Sequence, residues 1–306
     1  ITIPTPTPIV TIPTPTPIVT IPTPTPIVTI PTPTPIITIP TPTPIITIPT
    51  PTPIVTIPTP TPIVTIPTNT NKLSNEINSF KQIWRGGFKT GYSPKRNQKG
   101  LEDYLSNGLS GKTCLEIGCG GGQWSKYIYN QNIFDKIYCI DVLSEEHNQF
   151  WNYVGEDKKD KIEYIQVDDF SLNNIPDNSI DYVFSYDVFC HISYSGQKEY
   201  ISTLTKKCKT SCILNIMYAD AEKYLNNEPE NKWFVKGHLP NKAEGINSDE
   251  DLIKLALLDK DGEHTTGRWY WVGIQNFNNL IKEYGFKILS EDLNIDKTNP
   301  ITLFLK

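Results

Sequence analysis

Two regimes of hydrophobic patterning meet in this chain of 306 residues. Beyond about residue 110, short apolar runs alternate with longer stretches whose apolar positions recur at helical spacing. The runs at 112–117, 136–141, 161–167, 180–186 and 212–218 are rich in Ile, Val, Tyr and Phe and are bounded by polar or glycine-containing segments. They predict strands. Between them, 122–131, 144–154 and 196–209 predict helices. An amphipathic helix is predicted at 95–107, with Leu101, Tyr104 and Leu105 on one side. Strands alternating with helices imply an α/β fold with a doubly wound, mostly parallel sheet. Residues 219–270 break the rhythm, being polar with scattered aromatics, and read as an inserted cap segment. A helix at about 273–284 follows, ending at Gly285, with strands at 286–291 and 301–306.

The first 68 residues are different in kind, containing only Ile, Val, Thr and Pro. A nine-residue unit, Pro-Thr-Pro-Thr-Pro-Ile-(Val/Ile)-Thr-Ile, starts at Pro4 and recurs to Pro58, giving seven copies. Proline at alternate positions fixes φ and removes backbone donors, which predicts an extended, low-complexity stalk. At about 3.1 Å per residue it would reach on the order of 200 Å. The Ile-Val-Thr-Ile piece is β-prone, but proline cannot donate to a strand ladder, which opposes a solenoid. A spacer, a Thr-glycosylated stalk and a ligand for a proline-binding partner all remain open. Residues 69–94 read as a linker and lead-in, and 95–306 as one domain.

Charge begins only at Lys72, so the whole net charge of −5 belongs to the later part. That part is mildly acidic and has no basic stripe, so no nucleic-acid partner is expected. No run of about 20 apolar residues suggests a membrane span. The six cysteines are spread along the chain, which suggests reduced thiols in a cytoplasmic enzyme. Cys208-x3-Cys212 lacks a second pair, so no metal centre is expected.

The segment richest in chemistry is Leu-Glu-Ile-Gly-Cys-Gly-Gly-Gly-Gln-Trp, residues 115–124. A strand that runs past an acid into a glycine-dense turn lets the main chain approach a nucleotide cofactor closely. A nicotinamide-type Gly-x-Gly-x-x-Gly turn starting at Gly118 would need glycine at 123, where the chain has Gln123. Asp141 ends the second strand, where a carboxylate can accept both ribose hydroxyls.

The spacing Glu116-x-Gly118-x-Gly120-x-Gly122 resembles the first motif of the class I S-adenosylmethionine-dependent methyltransferases. The resemblance covers about 110–218 well and 272–306 moderately. It implies a seven-stranded Rossmann-like sheet closed by an antiparallel hairpin, with S-adenosylmethionine as cofactor. On this likeness Glu116, Gly118, Cys119, Gly120, Gly122 and Asp141 hold the cofactor. Asp168 would face the adenine amino group, with Asp169 as the alternative acid. Ser185, Tyr186 and Asp187 would lie under its methionine end, next to the acceptor.

Asp187, His191 and His264 are the candidate catalytic residues, because a His or Asp can take the proton of an alcohol acceptor. His191 reads equally as a histidine packed against the sheet. The stretch from His264 through Arg268 to Trp271 could line an acceptor pocket, or Trp269 and Trp271 could anchor the insertion to the core. Trp84, Trp151 and Trp233 suggest only packing. No Asn-Pro-Pro-Tyr run follows the fourth strand, so methylation of oxygen on a small molecule or a glycan hydroxyl is favoured. Two rivals stand: a non-catalytic stalk or interaction protein with a relic cofactor domain, and an NAD-dependent oxidoreductase.

Overall fold

The computed structural model describes residues 98–239, 242–262 and 267–306. The repeat at 1–68, the lead-in at 69–94 and His264 lie outside the described residues. Helix α1 (Gln98–Gly108) precedes strand β1 (Thr113–Ile117), α2 (Gln123–Asn130), β2 (Lys136–Asp141), α3 (Phe150–Val154) and β3 (Ile162–Gln166). Then come β4 (Ile180–Ser185), α4 (Tyr194–Lys207) and β5 (Cys208–Met217). The inserted segment holds α5 (Ala221–Asn227), α6 (Lys232–Gly237) and α7 (Asp249–Leu258). Helix α8 (Ile274–Glu283) and strands β6 (Lys287–Ser290) and β7 (Ile301–Leu305) close the chain. Among the described residues no helix is long and apolar enough to cross a membrane.

The seven strands form one sheet in the order β3-β2-β1-β4-β5-β7-β6. The first five run parallel, whereas β7 pairs antiparallel with β5 and with β6. Both faces are covered, which is why the central strands are apolar at consecutive positions. Along β4, Tyr182 and Phe184 join the layer under α1 and α2, while Val183 joins the layer under α4 and α8. The chain runs outward from β1 through β2 to β3, then returns to β4 on the other side of β1. That reversal leaves a crevice at the strands' carboxyl ends, where open α/β sheets bind ligands.

Two elements and one side chain depart from the expectation. The helix expected over 144–154 shrinks to Phe150–Val154. Gln149 sits at φ 50° in the left-handed region, and the Phe150 amide reaches back to the Glu145 carbonyl at 2.9 Å, so the regular i to i−4 ladder is interrupted. Strand β5 begins at Cys208 rather than 212, with an irregular register against β4 between Ile180 and Tyr182. Trp233 is 68 % exposed instead of packed inside, with its indole N–H donating to Asn231 at 3.2 Å.

Candidate active site

The turn after β1 is tied to the end of β2 by its own backbone. The amides of Gly118 and Cys119 both donate to the Ile140 carbonyl, at 2.8 and 3.1 Å. Gly118, Gly120 and Gly122 have φ of 75°, 50° and 85°, a region that L side chains rarely adopt. A Cβ on Gly122 would lie 2.3 Å from Val154 Cγ2 and 2.8 Å from the Phe150 ring. Gly122→Ala should therefore destabilise the fold by about 1–3 kcal/mol, the usual cost of a strained backbone position. Urea unfolding checks this, and an unchanged midpoint would mean that the turn rearranges freely.

Asp141 is drawn into the same turn. Its carboxylate accepts the Gly120 amide at 2.9 Å and the Leu143 amide at 2.9 Å. Burial raises its pKa above the ordinary value, and the amides of Leu143 and Gly120 oppose that rise. The glycine turn and the strand-end acid are thus in direct contact. Next to them the Val167 amide donates to the Asp141 carbonyl at 2.8 Å, which brings the exposed Asp168 and Asp169 to the end of β3. An open cleft lies there, floored by Ile140, Ile165 and Val167 and edged by both acids. Asp169 accepts both the amide and the hydroxyl of Ser171, at 2.8 and 2.6 Å.

Glu116 is only 2 % exposed. One of its oxygens accepts the Ser125 hydroxyl at 2.5 Å and the Cys139 thiol at 3.6 Å, which fixes the first turn of α2 to β1. Burial pushes its pKa up to about 8 despite those bonds. Cys119 is buried in the turn, and burial raises its thiol pKa.

At the end of β4 the buried Ser185 donates to the Ile117 carbonyl at 3.0 Å. The Tyr186 hydroxyl donates to Asp296 at 3.0 Å, and its ring meets Trp124 edge-on at 5.7 Å. Asp187 has a positive φ of 61°. His191 is 7 % exposed, with Nδ1 3.1 Å from the Arg268 carbonyl. Burial lowers its pKa, with the nearby Asp187 carboxylate opposing. The structure thus brings Asp187 and His191 together.

Trp269 and Trp271 are buried among Tyr224, Phe234 and His238 of the insertion, with Phe234–Trp269 centroids at 4.9 Å. This is the packing expected of anchors, and the His191 ring meets Trp269 edge-on at 6.0 Å.

Sequence reading passed over Asn148 and Asp296. Asn148 is fully buried, bonds the Tyr164 hydroxyl at 2.8 Å and favours the ionised form of Asp141. Asp296, 3 % exposed, gathers the amides of Thr298 and Asn299 besides the Tyr186 hydroxyl. Neither lies in a local motif; both matter through contacts that only the fold creates.

The family model described as a methyltransferase domain matches residues 115–213. No curated protein matches the chain. Among solved structures, one similar chain is a methyltransferase dependent on S-adenosylmethionine from Mesorhizobium loti. It is 14 % identical with a TM-score of 0.48, over 69 % of this chain and 98 % of that one. Another, from Aquifex aeolicus, is 16 % identical with a TM-score of 0.44, over 68 % and 88 %. A third, from Methanosarcina mazei, is 15 % identical with a TM-score of 0.43, over 67 % and 96 %. The family match starts inside β1 and ends inside β5, so it takes in the glycine turn and the carboxyl ends of β1 to β4. On that ground residues 115–213 are similar to a methyltransferase domain, and the glycine turn lies within that likeness.

Proposed function

We propose that the chain is an S-adenosylmethionine-dependent methyltransferase that methylates an oxygen of a small molecule or a sugar hydroxyl. The observation that carries the site assignment is the contact between the Asp141 carboxylate and the Gly120 amide, at the reversal point of the sheet. Asp141 accepts the ribose hydroxyls there. Asp168, or Asp169 beside it, accepts from the adenine amino group over the apolar floor of Ile140 and Ile165. The donor set fits the cofactor, since an adenosyl group offers hydroxyls and an amino group and the strand ends offer carboxylates. Glu116 is a positioning residue that holds α2, and with it the turn, against β1.

When bound, the cofactor supplies a methyl group on a positively charged sulfur. The chain's remaining work is alignment and exclusion of water. Asp187 and His191 lie where β4 ends and receive the proton that an alcohol acceptor must lose. His264 is assigned to the same task from its place in the sequence.

Asp141→Ala should weaken binding of S-adenosylhomocysteine by about 1–3 kcal/mol, the worth of a hydrogen bond to a charged group, or roughly 5- to 150-fold. Calorimetry with S-adenosylhomocysteine measures it. Undiminished affinity would remove Asp141 from the cofactor site. NAD, titrated in parallel, should give no heat of binding.

A further inference from the structure

Asp187, Cys190 and His191 each present a potential ligand atom, and the three atoms lie within 4.8 Å of one another. Among the described residues this is the one such cluster of His, Cys and acidic side chains. Its donors are mixed: a carboxylate oxygen, a thiol sulfur and an imidazole nitrogen. Magnesium and calcium prefer oxygen throughout, whereas sulfur with imidazole suits a borderline-soft cation such as Zn²⁺.

Three geometric features favour a cation here. The first is spacing. The Cys190 thiol donates to Asp187 Oδ1 at 3.6 Å, a separation that an ion replacing the thiol proton can keep. A tetrahedral ion with bonds of about 2.3 Å to sulfur and about 2.1 Å to oxygen separates those two ligands by about 3.6 Å. The second is orientation. His191 Nδ1 faces the Arg268 carbonyl at 3.1 Å, and a carbonyl can only accept. Nδ1 therefore carries the proton and Nε2 the lone pair, the arrangement in which a backbone carbonyl orients a metal-bound histidine. The third is backbone strain. Asp187 keeps a φ of 61°, unfavourable for a residue with a Cβ, and it does so where its carboxylate meets the thiol. Cys190 is fully buried and His191 nearly so, which limits competition from water.

We propose that Asp187, Cys190 and His191 form a three-ligand Zn²⁺ site at the end of β4, with the acceptor oxygen as its fourth ligand. Three protein ligands and one exchangeable position is the pattern of catalytic rather than structural zinc. Binding of the ion displaces the Cys190 thiol proton to solvent. The ion then polarises the acceptor hydroxyl, whose proton passes to solvent, and Asp187 and His191 act in the loaded site as ligands in place of their role as bases. The last step rests on the proposed function above; binding of the ion does not.

The test uses the full chain after treatment with a chelator, titrated with Zn²⁺ against a chromophoric chelator and, separately, with Co²⁺ followed by absorption. One equivalent should bind, and the Co²⁺ form should show a near-ultraviolet thiolate charge-transfer band. Cys190→Ser should abolish that band, and Asp187→Asn should weaken Zn²⁺ at least about tenfold. Absence of stoichiometric binding would overturn the site, as would a thiolate band that survives in Cys190→Ser. S-adenosylhomocysteine is titrated into the same preparations. Cofactor binding without Zn²⁺ binding defeats the metal site alone. Zn²⁺ binding without cofactor binding defeats the methyl-transfer reading and leaves the site standing.

Discussion

Replacing Asp259 by Ala should destabilise the protein by about 3–5 kcal/mol, the cost of stranding one member of a buried ion pair. Asp259 is 4 % exposed and its partner Arg268 is 1 % exposed. The guanidinium donates to the Asp259 carboxylate and, at 2.8 Å, to the Asp259 carbonyl. Lys242 also reaches the carboxylate, and the guanidinium sits 4.7 Å above the Tyr270 ring. Without the carboxylate, a permanent positive charge stays in the interior with its bond to Asp259 Oδ2 lost.

The loss also reaches the site, because the Arg268 carbonyl is the partner of His191 Nδ1. Urea unfolding at neutral pH measures the effect. A loss below about 1 kcal/mol would show that the pair behaves as a solvated surface bridge. The double variant Asp259→Leu with Arg268→Met should recover much of the loss, since removing both charges leaves none stranded.

The parts of this fold that were legible in sequence are those whose physics is local. Strands β1, β2 and β4 lie inside the sheet with both faces covered, so their apolar runs are continuous and their ends sharp. The glycine turn was legible because close backbone approach leaves few alternatives to glycine. Helix α3 was not, because the left-handed Gln149 breaks it and nothing about a glutamine announces that conformation.

The insertion held more signal than its polarity suggested. Asp220 and Ser248 both cap helices, accepting the amides of Lys223 and Asp251 at 2.6 and 3.1 Å. Scattered aromatics obscured the helical period, because Tyr224, Phe234, Trp269 and Trp271 pack on one another across separate elements. The contact of Asp141 with the glycine turn follows from its place at a strand end. The link of Asp296 to Tyr186 has no such local origin, since it spans 110 residues.

Glu116 should make the wild-type protein lose stability as pH rises, opposite to the usual effect of a salt-bridged carboxylate. Its pKa in the fold is about 8, lifted chiefly by burial, against about 4.3 in an unfolded chain. Below about pH 4 both states hold the proton and the group contributes no slope. Between the two values the unfolded chain has released the proton while the folded one retains it. The folded state then binds more protons, so its stability falls with rising pH, by up to about 1.4 kcal/mol per unit. Above about pH 8 both states are ionised and the decline levels off.

The neutral near-isostere Glu116→Gln can still accept from Ser125, and it removes this titration. Asp141 and the nearby thiols titrate in both proteins, so the difference between the two stability curves isolates Glu116. That difference should tilt in favour of the Gln variant from about pH 4 to 8. Urea unfolding of both proteins at unit steps of pH reads it directly. Parallel curves would mean that Glu116 is ionised in the fold at neutral pH, with more water or positive charge around it than the Ser125 and Cys139 contacts supply.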